Sequence, residues 1–250
     1  IALVLEALTD KEHGVIKDAS EIYAIGHRVV QGGVKYPESV VITDEVKKDI
    51  EKYSDLAPLH NPANLMGIEA CEEAMPGTPN VAVFDTGFGM VMPPKAHMYA
   101  IPYEYYEKYS IRRYGFHGTS MRYVAPEAAR ILGKPLEDIR MIIAHLGNGA
   151  SITAIKNGKS VDTSMGFTPI EGLVMGTRCG DIDPGVYSYL TSHAGLDVAQ
   201  VDEMLNKKSG LLGISELSND CRSLEIAADE GHEGARLALE VMTYRLAKYI

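Results

Sequence analysis

The chain has 250 residues, 46% of them hydrophobic, and 24 basic against 34 acidic side chains give a formal charge of −10. That is enough apolar material for one large or two modest cores, and the acidic balance argues against nonspecific nucleic-acid binding, which needs basic surface, though not against a nucleotide held at one basic site. Three widely spaced cysteines without a CxxC pair, no apolar run of membrane-spanning length and no visible signal peptide predict free thiols in a reducing cytoplasm and no membrane partner.

In chain order, Ile1–Leu8 reads as the end of a helix. The chain opens inside that apolar pattern and closes at Ile250 inside another, which suggests part of a longer protein. Ala19–Val30 carries a strand near its end, followed by Gly26-His27-Arg28-Val29-Val30-Gln31-Gly32-Gly33. Arg28 at a strand end before paired glycines suits an anion at close backbone range; a surface arginine before a turn is the plainer alternative. Thr43–Tyr53 is a short charged helix capped by Thr43 or Asp44. Two prolines keep Leu56–Pro62 irregular and place His60 on a constrained loop. Pro62–Ala74 is helical in pattern.

Asn80–Phe84 is a compact strand ended by Asp85-Thr86-Gly87. A carboxylate at the end of a buried strand suits a metal ligand or nucleophile, or else a turn former. The tyrosines of Pro102–Tyr109 suggest core or subunit contact. Ser120–Leu132 looks helical with Thr119 or Ser120 as cap, which sets His117 just before a helix N-terminus, where anions are stabilised; a core histidine bonded to backbone is the alternative.

The densest stretch is Met141–Gly185. Met141–Ala144 fits a buried strand. His145-Leu146-Gly147-Asn148-Gly149-Ala150-Ser151 is glycine-rich, and Ser151–Ile155, Asn157-Gly158 and Ser160–Asp162 make a hairpin around a tight turn. Arg178 then lies between glycines. Backbone N–H groups with a guanidinium is a common way to hold phosphate or acyl phosphate, although a plain hairpin with glycine-rich ends has the same pattern. Beyond it, Pro184–Gly195, Val198–Lys207, Ser223–Glu230 and Glu233–Tyr249 read as helices, with a turn at Ser209-Gly210. GxGxxG, Walker-type and zinc-type patterns are lacking.

Taken together, GHRVVQGG (Gly26–Gly33), LAPLHN (Leu56–Asn61), FDTGF (Phe84–Phe88), RRYGFHGTS (Arg112–Ser120), HLGNGAS (His145–Ser151) and DTSMGFTPIEGLVMGTRCGDIDP (Asp162–Pro184) resemble the acetate kinase family. They run in family order. The resemblance implies a two-domain α/β fold of the actin-like, ribonuclease H-like class with a central cleft, divided at residues 1–86 and 87–250. It implies reversible phosphoryl transfer from ATP to a short carboxylate with Mg²⁺, a cytoplasmic enzyme and a homodimer.

By the same resemblance Arg28 and Arg178 bind the carboxylate and phosphoryl oxygens, His117 contacts the phosphoryl group in flight, and Asp85 supports Mg²⁺ or the arginines. His60 lies at the substrate side. Val30, Leu59, Phe116 and Pro169 wall an apolar acyl pocket, and His145, Asn148 and Gly149 meet the nucleotide phosphates. Valine at position 30 resembles the acetate-preferring members. A propionate or other short-chain acyl kinase and a non-catalytic binding module are the alternatives. Gln31, Gly89-Met90 and Met121 depart from the histidine-rich residues usual there. The family's Asn-Ala-Gly-Ser-Ser phosphate loop and Gly-Ile-Gly-Glu-Asn adenosine region do not occur in the chain.

Overall fold

The computed structural model describes residues 1–58 and 60–250. The chain divides into two compact units, Ile1–Met90 and Val91–Ile250.

In the first unit, helix α1 (Ala2–Leu8) buries no side chain. The strand expected over 19–30 is shorter. Ala19–Glu21 winds into a 3₁₀ turn because the Asp18 side chain accepts from Ser20 N, so strand β1 is Ile25–Val29. Strand β2 (Val40–Val41) and helix α2 (Asp44–Lys52) follow, with the Thr43 hydroxyl capping Val46 N as the sequence suggested. Helix α3 (Asn61–Ala74) starts with Pro62 in its first turn, where the missing N–H costs nothing. Strand β3 (Asn80–Phe84) closes the unit.

The sheet order is β1-β3-β2, with β1 parallel and β2 antiparallel to β3. The α2 and α3 segment is the crossover a parallel pair requires. Its apolar side packs Val46, Ile50 and Ile68 against Val29, Ala82 and Phe84, and the Tyr36 ring stacks on Phe84 at 4.6 Å.

In the second unit, α4 (Pro94–His97) and α5 (Glu104–Tyr109) are short, and α6 (Gly118–Leu132) is a full helix. The tyrosines do not build a core. Tyr103, Tyr105 and Tyr109 stay 41% or more exposed, because a helix this short stacks Tyr105 on Tyr109 along its outer side.

Strands β4 (Arg140–Leu146), β5 (Ala150–Lys156) and β6 (Lys159–Thr163) form an antiparallel sheet in that order. Asn157 and Gly158 both take left-handed backbone angles, φ 53° and 73°, which a two-residue hairpin turn demands. The expected buried strand is only half buried. As the edge, β4 sinks Ile143 and leaves Ile142 and Leu146 exposed, whereas β5 in the centre is nearly all buried.

Helices α7 (Pro184–His193), α8 (Val198–Lys207), α9 (Gly210–Ser215), α10 (Cys221–Asp229) and α11 (Glu233–Tyr249) complete the unit. Leu211 of α9, Leu224 of α10 and Ala235 and Ala238 of α11 form a core with Val174 of the preceding loop.

The turn expected at Ser209-Gly210 is a helix start. Gly210 has φ +62°, and a Cβ there would lie 2.1 Å from the Met175 carbonyl oxygen and 2.7 Å from that of Arg178. Both strain and backbone overlap oppose any side chain. Gly210→Ala is expected to lower Tm by several degrees, a cost of about 1–3 kcal/mol, and to shift the 175–178 loop. An unchanged melting curve would show that this close approach carries no weight.

Candidate active site

Each unit gathers its own set of the residues singled out above. In the first, the parallel register sets Arg28 opposite Val83, and Asp85 N continues the ladder by donating to Val29 O at 2.8 Å. This brings the end of β1 beside the end of β3, where α/β sheets collect ligands. Arg28 Nη2 donates to Asp85 Oδ2 at 2.8 Å and Nε to Oδ1 at 3.4 Å. Asp85 is 1% exposed and the Arg28 side chain 54%, so a buried carboxylate aims a half-exposed guanidinium.

Next to it, Val30 is buried, and its N–H donates to Asn64 Oδ1. Asn61 grips both the N–H and the carbonyl of Gln31. The first turn of α3, with His60 at its N-cap position, is thereby pinned to the end of β1. Leu59, the other acyl-wall residue of this unit, lies outside the described residues. Of the departures from the family pattern, Gln31 is fully buried and accepts from Gly33 N, and Met121 is packed inside the second unit.

The second unit brings four expected residues together. The helix begins at Gly118, so His117 rather than Thr119 or Ser120 holds the N-cap position of α6, without a side-chain capping bond and in the left-handed region, φ 59° and ψ 24°. A non-glycine residue persists there only where its surroundings hold it, and such residues cluster at functional sites. The holding contacts are specific. His117 Nδ1 meets Ser151 Oγ at 2.9 Å, and its ring stacks on His145 at 4.0 Å. His145 Nδ1 meets Ser120 Oγ at 3.0 Å. A Cβ placed on Gly149 would lie 3.2 Å from Arg178 Nη1 and 3.4 Å from His117 Nε2. Glycine therefore lets the backbone, the guanidinium and the imidazole share one spot. Arg178 Nη1 also donates to Pro169 O at 3.2 Å, and Phe116, beside His117, is buried.

Two networks hold the segment that carries Pro169 and Arg178. Glu171 accepts from both Arg113 and Tyr99, and Arg113 also donates to the carbonyls of Thr163 and Ser164. Asp181 accepts from Tyr249 and from Gly172 N. Burial first, then the acidic partner, raises both tyrosine pKa values, so each phenol remains a donor. Arg113, Glu171 and Asp181 fall within the quoted motifs, but the sequence assigns them no role, and Tyr99 and Tyr249 lie outside every motif.

Asn148 points the other way, into a cavity of about 550 Å³. Its backbone oxygen accepts from Gly176 N and its side-chain oxygen from Asn219 Nδ2, each at 3.0 Å. Leu173, Met175 and Leu211 supply apolar walls, and Asn219, Asp220 and Glu225 a polar one. The sequence marks this polar wall only as a helix start. Asp220 caps α10 through Ser223 N, and the helix starts at Cys221, two residues ahead of the expected start.

Among the described residues no group of three His, Cys, Asp or Glu side chains gathers as a metal cage. Both oxygens of Asp85 accept from Arg28, and a carboxylate bonded in this way keeps lone pairs that a metal ion can use.

An anion cradle of this kind is not peculiar to one chemistry, and comparison with known proteins decides between them. The sequence model of the acetokinase family matches residues 1–250. The chain belongs to the acetokinase family. It is 77% identical over 240 residues to acetate kinase 2 of Neisseria meningitidis serogroup B, covering 96% of this chain and 59% of that protein. It is 60% identical over 250 residues to the acetate kinase of Halothermothrix orenii, covering all of this chain and 63% of that one.

The crystal structure of the acetate kinase of Porphyromonas gingivalis superposes with a TM-score of 0.93 at 52% identity, over 99% of this chain and 62% of that one. A propionate kinase from Francisella tularensis superposes with the same TM-score at 47% identity and the same coverage. The chain thus spans about 60% of the length of the curated relatives it matches and has the mixed α/β acetokinase fold over that span. No helix among the described residues is long and apolar enough to cross a membrane.

Proposed function

We propose that the protein carrying this chain catalyses reversible transfer of the terminal phosphoryl group of ATP to acetate, giving acetyl phosphate and ADP. The observation that carries the reading is the convergence of Arg178, His117 and the Gly149 backbone on one spot, in a chain of the acetokinase family. A transferring phosphoryl group spreads charge over its equatorial oxygens, so catalysis rests on positioned donors. Arg178 and His117 are those donors in this reading. Arg28, aimed by Asp85, binds the acyl carboxylate through its planar fork. That carboxylate is already ionised near neutral pH and needs no general base.

In the same reading Val30 in the first unit and Phe116 and Pro169 in the second have acyl-wall roles, and His60 a substrate-side role. His145, Asn148 and Gly149 take the nucleotide phosphates, and the cavity beyond Asn148 takes the nucleoside. Mg²⁺ is the divalent ion of this reading, carried by phosphate oxygens and water, which commonly complete its shell. Residues 1–86 and 87–250 are portions of the N-terminal and C-terminal domains, and the working form is a cytoplasmic homodimer.

Propionate is the competing substrate, since the propionate kinase of Francisella tularensis is as close in fold as the acetate kinase. Buried Val30 favours the smaller acid. One methylene is worth roughly 1–3 kcal/mol in such a pocket, so kcat/KM is expected to be higher for acetate, with propionate accepted. Acyl phosphate trapped as hydroxamate measures both. A higher kcat/KM for propionate overturns the substrate assignment, and no acyl phosphate from either acid overturns the activity.

A further inference from the structure

The reading above gives His117 a donor's role at Nε2, but an imidazole offers a proton there only in one of its two neutral tautomers. We infer that Ser151 selects that tautomer by donating its hydroxyl proton to His117 Nδ1. Ser151 is a positioning residue that acts through the histidine.

The argument is one of hydrogen-bond accounting. Ser151 is fully buried, in the middle strand of its sheet. Its Oγ lies 2.9 Å from His117 Nδ1, and among the described residues no other partner reaches that oxygen. If Nδ1 carried the proton, Oγ would accept it and the serine O–H would be a buried donor with no acceptor, an arrangement folded proteins avoid. If the serine donates, its proton is satisfied and Nδ1 is the acceptor. The ring proton then sits on Nε2, the atom that faces the spot shared by Gly149 and Arg178 Nη1.

With the ring turned over, Cδ2 would stand where Nδ1 does and the buried serine hydroxyl would lose its partner. The His145 ring lies against that of His117 at 4.0 Å, nearly parallel, and the N-cap backbone is fixed in the left-handed region. Ser151 and His145 are opposed in the β4–β5 ladder, so the serine and the stacked ring come to His117 from one rigid hairpin. Only the catalytic consequence rests on the phosphoryl-transfer reading; the tautomer does not.

The test is nitrogen NMR of the native protein with ¹⁵N-labelled histidine. The His117 signals are identified by their loss in His117→Gln. The expected spectrum at neutral pH shows a protonated Nε2 and an unprotonated Nδ1. In Ser151→Ala the Nδ1–H form is expected to appear, kcat to fall about tenfold, and KM for acetate and ATP to stay unchanged, the pattern of an interaction used only in the transition state. Glutamine keeps an N–H near the Nε2 position, so adding Ser151→Ala to His117→Gln is expected to change kcat less than about twofold.

A wild-type Nδ1–H tautomer, or a Ser151→Ala spectrum identical to wild type, overturns the inference. Should Ser151→Ala fail to fold, the wild-type spectrum alone decides. An Nε2–H spectrum from a protein that makes no acyl phosphate would remove the proposed activity and leave the tautomer assignment standing.

Discussion

Arg178→Ala is expected to lower kcat by roughly 100- to 1,000-fold, the loss found when one aimed donor is removed from a developing anion. The guanidinium sits beside Gly149 and the His117 imidazole and is steadied by the Pro169 carbonyl. Alanine removes the charge and the fork together, while the loop stays tied by Glu171–Arg113 and Asp181–Tyr249. Folding should survive, with Tm within a few degrees of wild type. Arg178→Lys should recover part of the rate, because lysine restores the charge without the planar geometry. Steady-state acyl phosphate formation beside a melting curve measures both. A folded Arg178→Ala protein within about tenfold of wild-type kcat would contradict the role given to this side chain.

The second large effect is expected from Asp85→Asn. The carboxylate is buried and turns both oxygens to Arg28. The amide keeps the shape but exchanges an ionic pair for one neutral acceptor and a donor facing a donor. A hydrogen bond to a charged group contributes about 1.5–3 kcal/mol, so kcat/KM for acetate should fall by about tenfold to a hundredfold. The loss should fall mainly on KM, since the misaimed group binds substrate. The Mg²⁺ concentration giving half-maximal rate should not move. If that concentration rose sharply while KM for acetate held, Asp85 would be a metal ligand and the pairing seen here incidental to it.

These variants also show how unevenly the site could be read from sequence. Arg28, Asp85, His117 and Arg178 all lie in short motifs, and so do Gly149 and Asn148. Their neighbours are less legible. Glu171 and Asp181 fall within the quoted Asp162–Pro184 stretch but nothing in it marks a role for them, and Tyr249 lies in no motif; their partners become visible only in the fold. The polar wall of the 550 Å³ cavity reads only as a helix start. Errors in the elements have the same origin. The apolar run of β4 predicts a buried strand, yet burial depends on whether a strand lies at the edge of its sheet.

The amino-acid sequence by itself determined the local structure: the Asn157-Gly158 hairpin, the Thr43 cap, the helix of Val198–Lys207 and the motif order that resembles the acetate kinases. These follow from backbone preference and side-chain bonds within a few residues. Only the tertiary structure decided that Asp85 belongs to Arg28, 57 residues away, and that Ser151 belongs to His117, 34 residues away. Both pairings are products of strand register and of packing around it, and register is settled by how whole faces bury, which no short window of sequence contains.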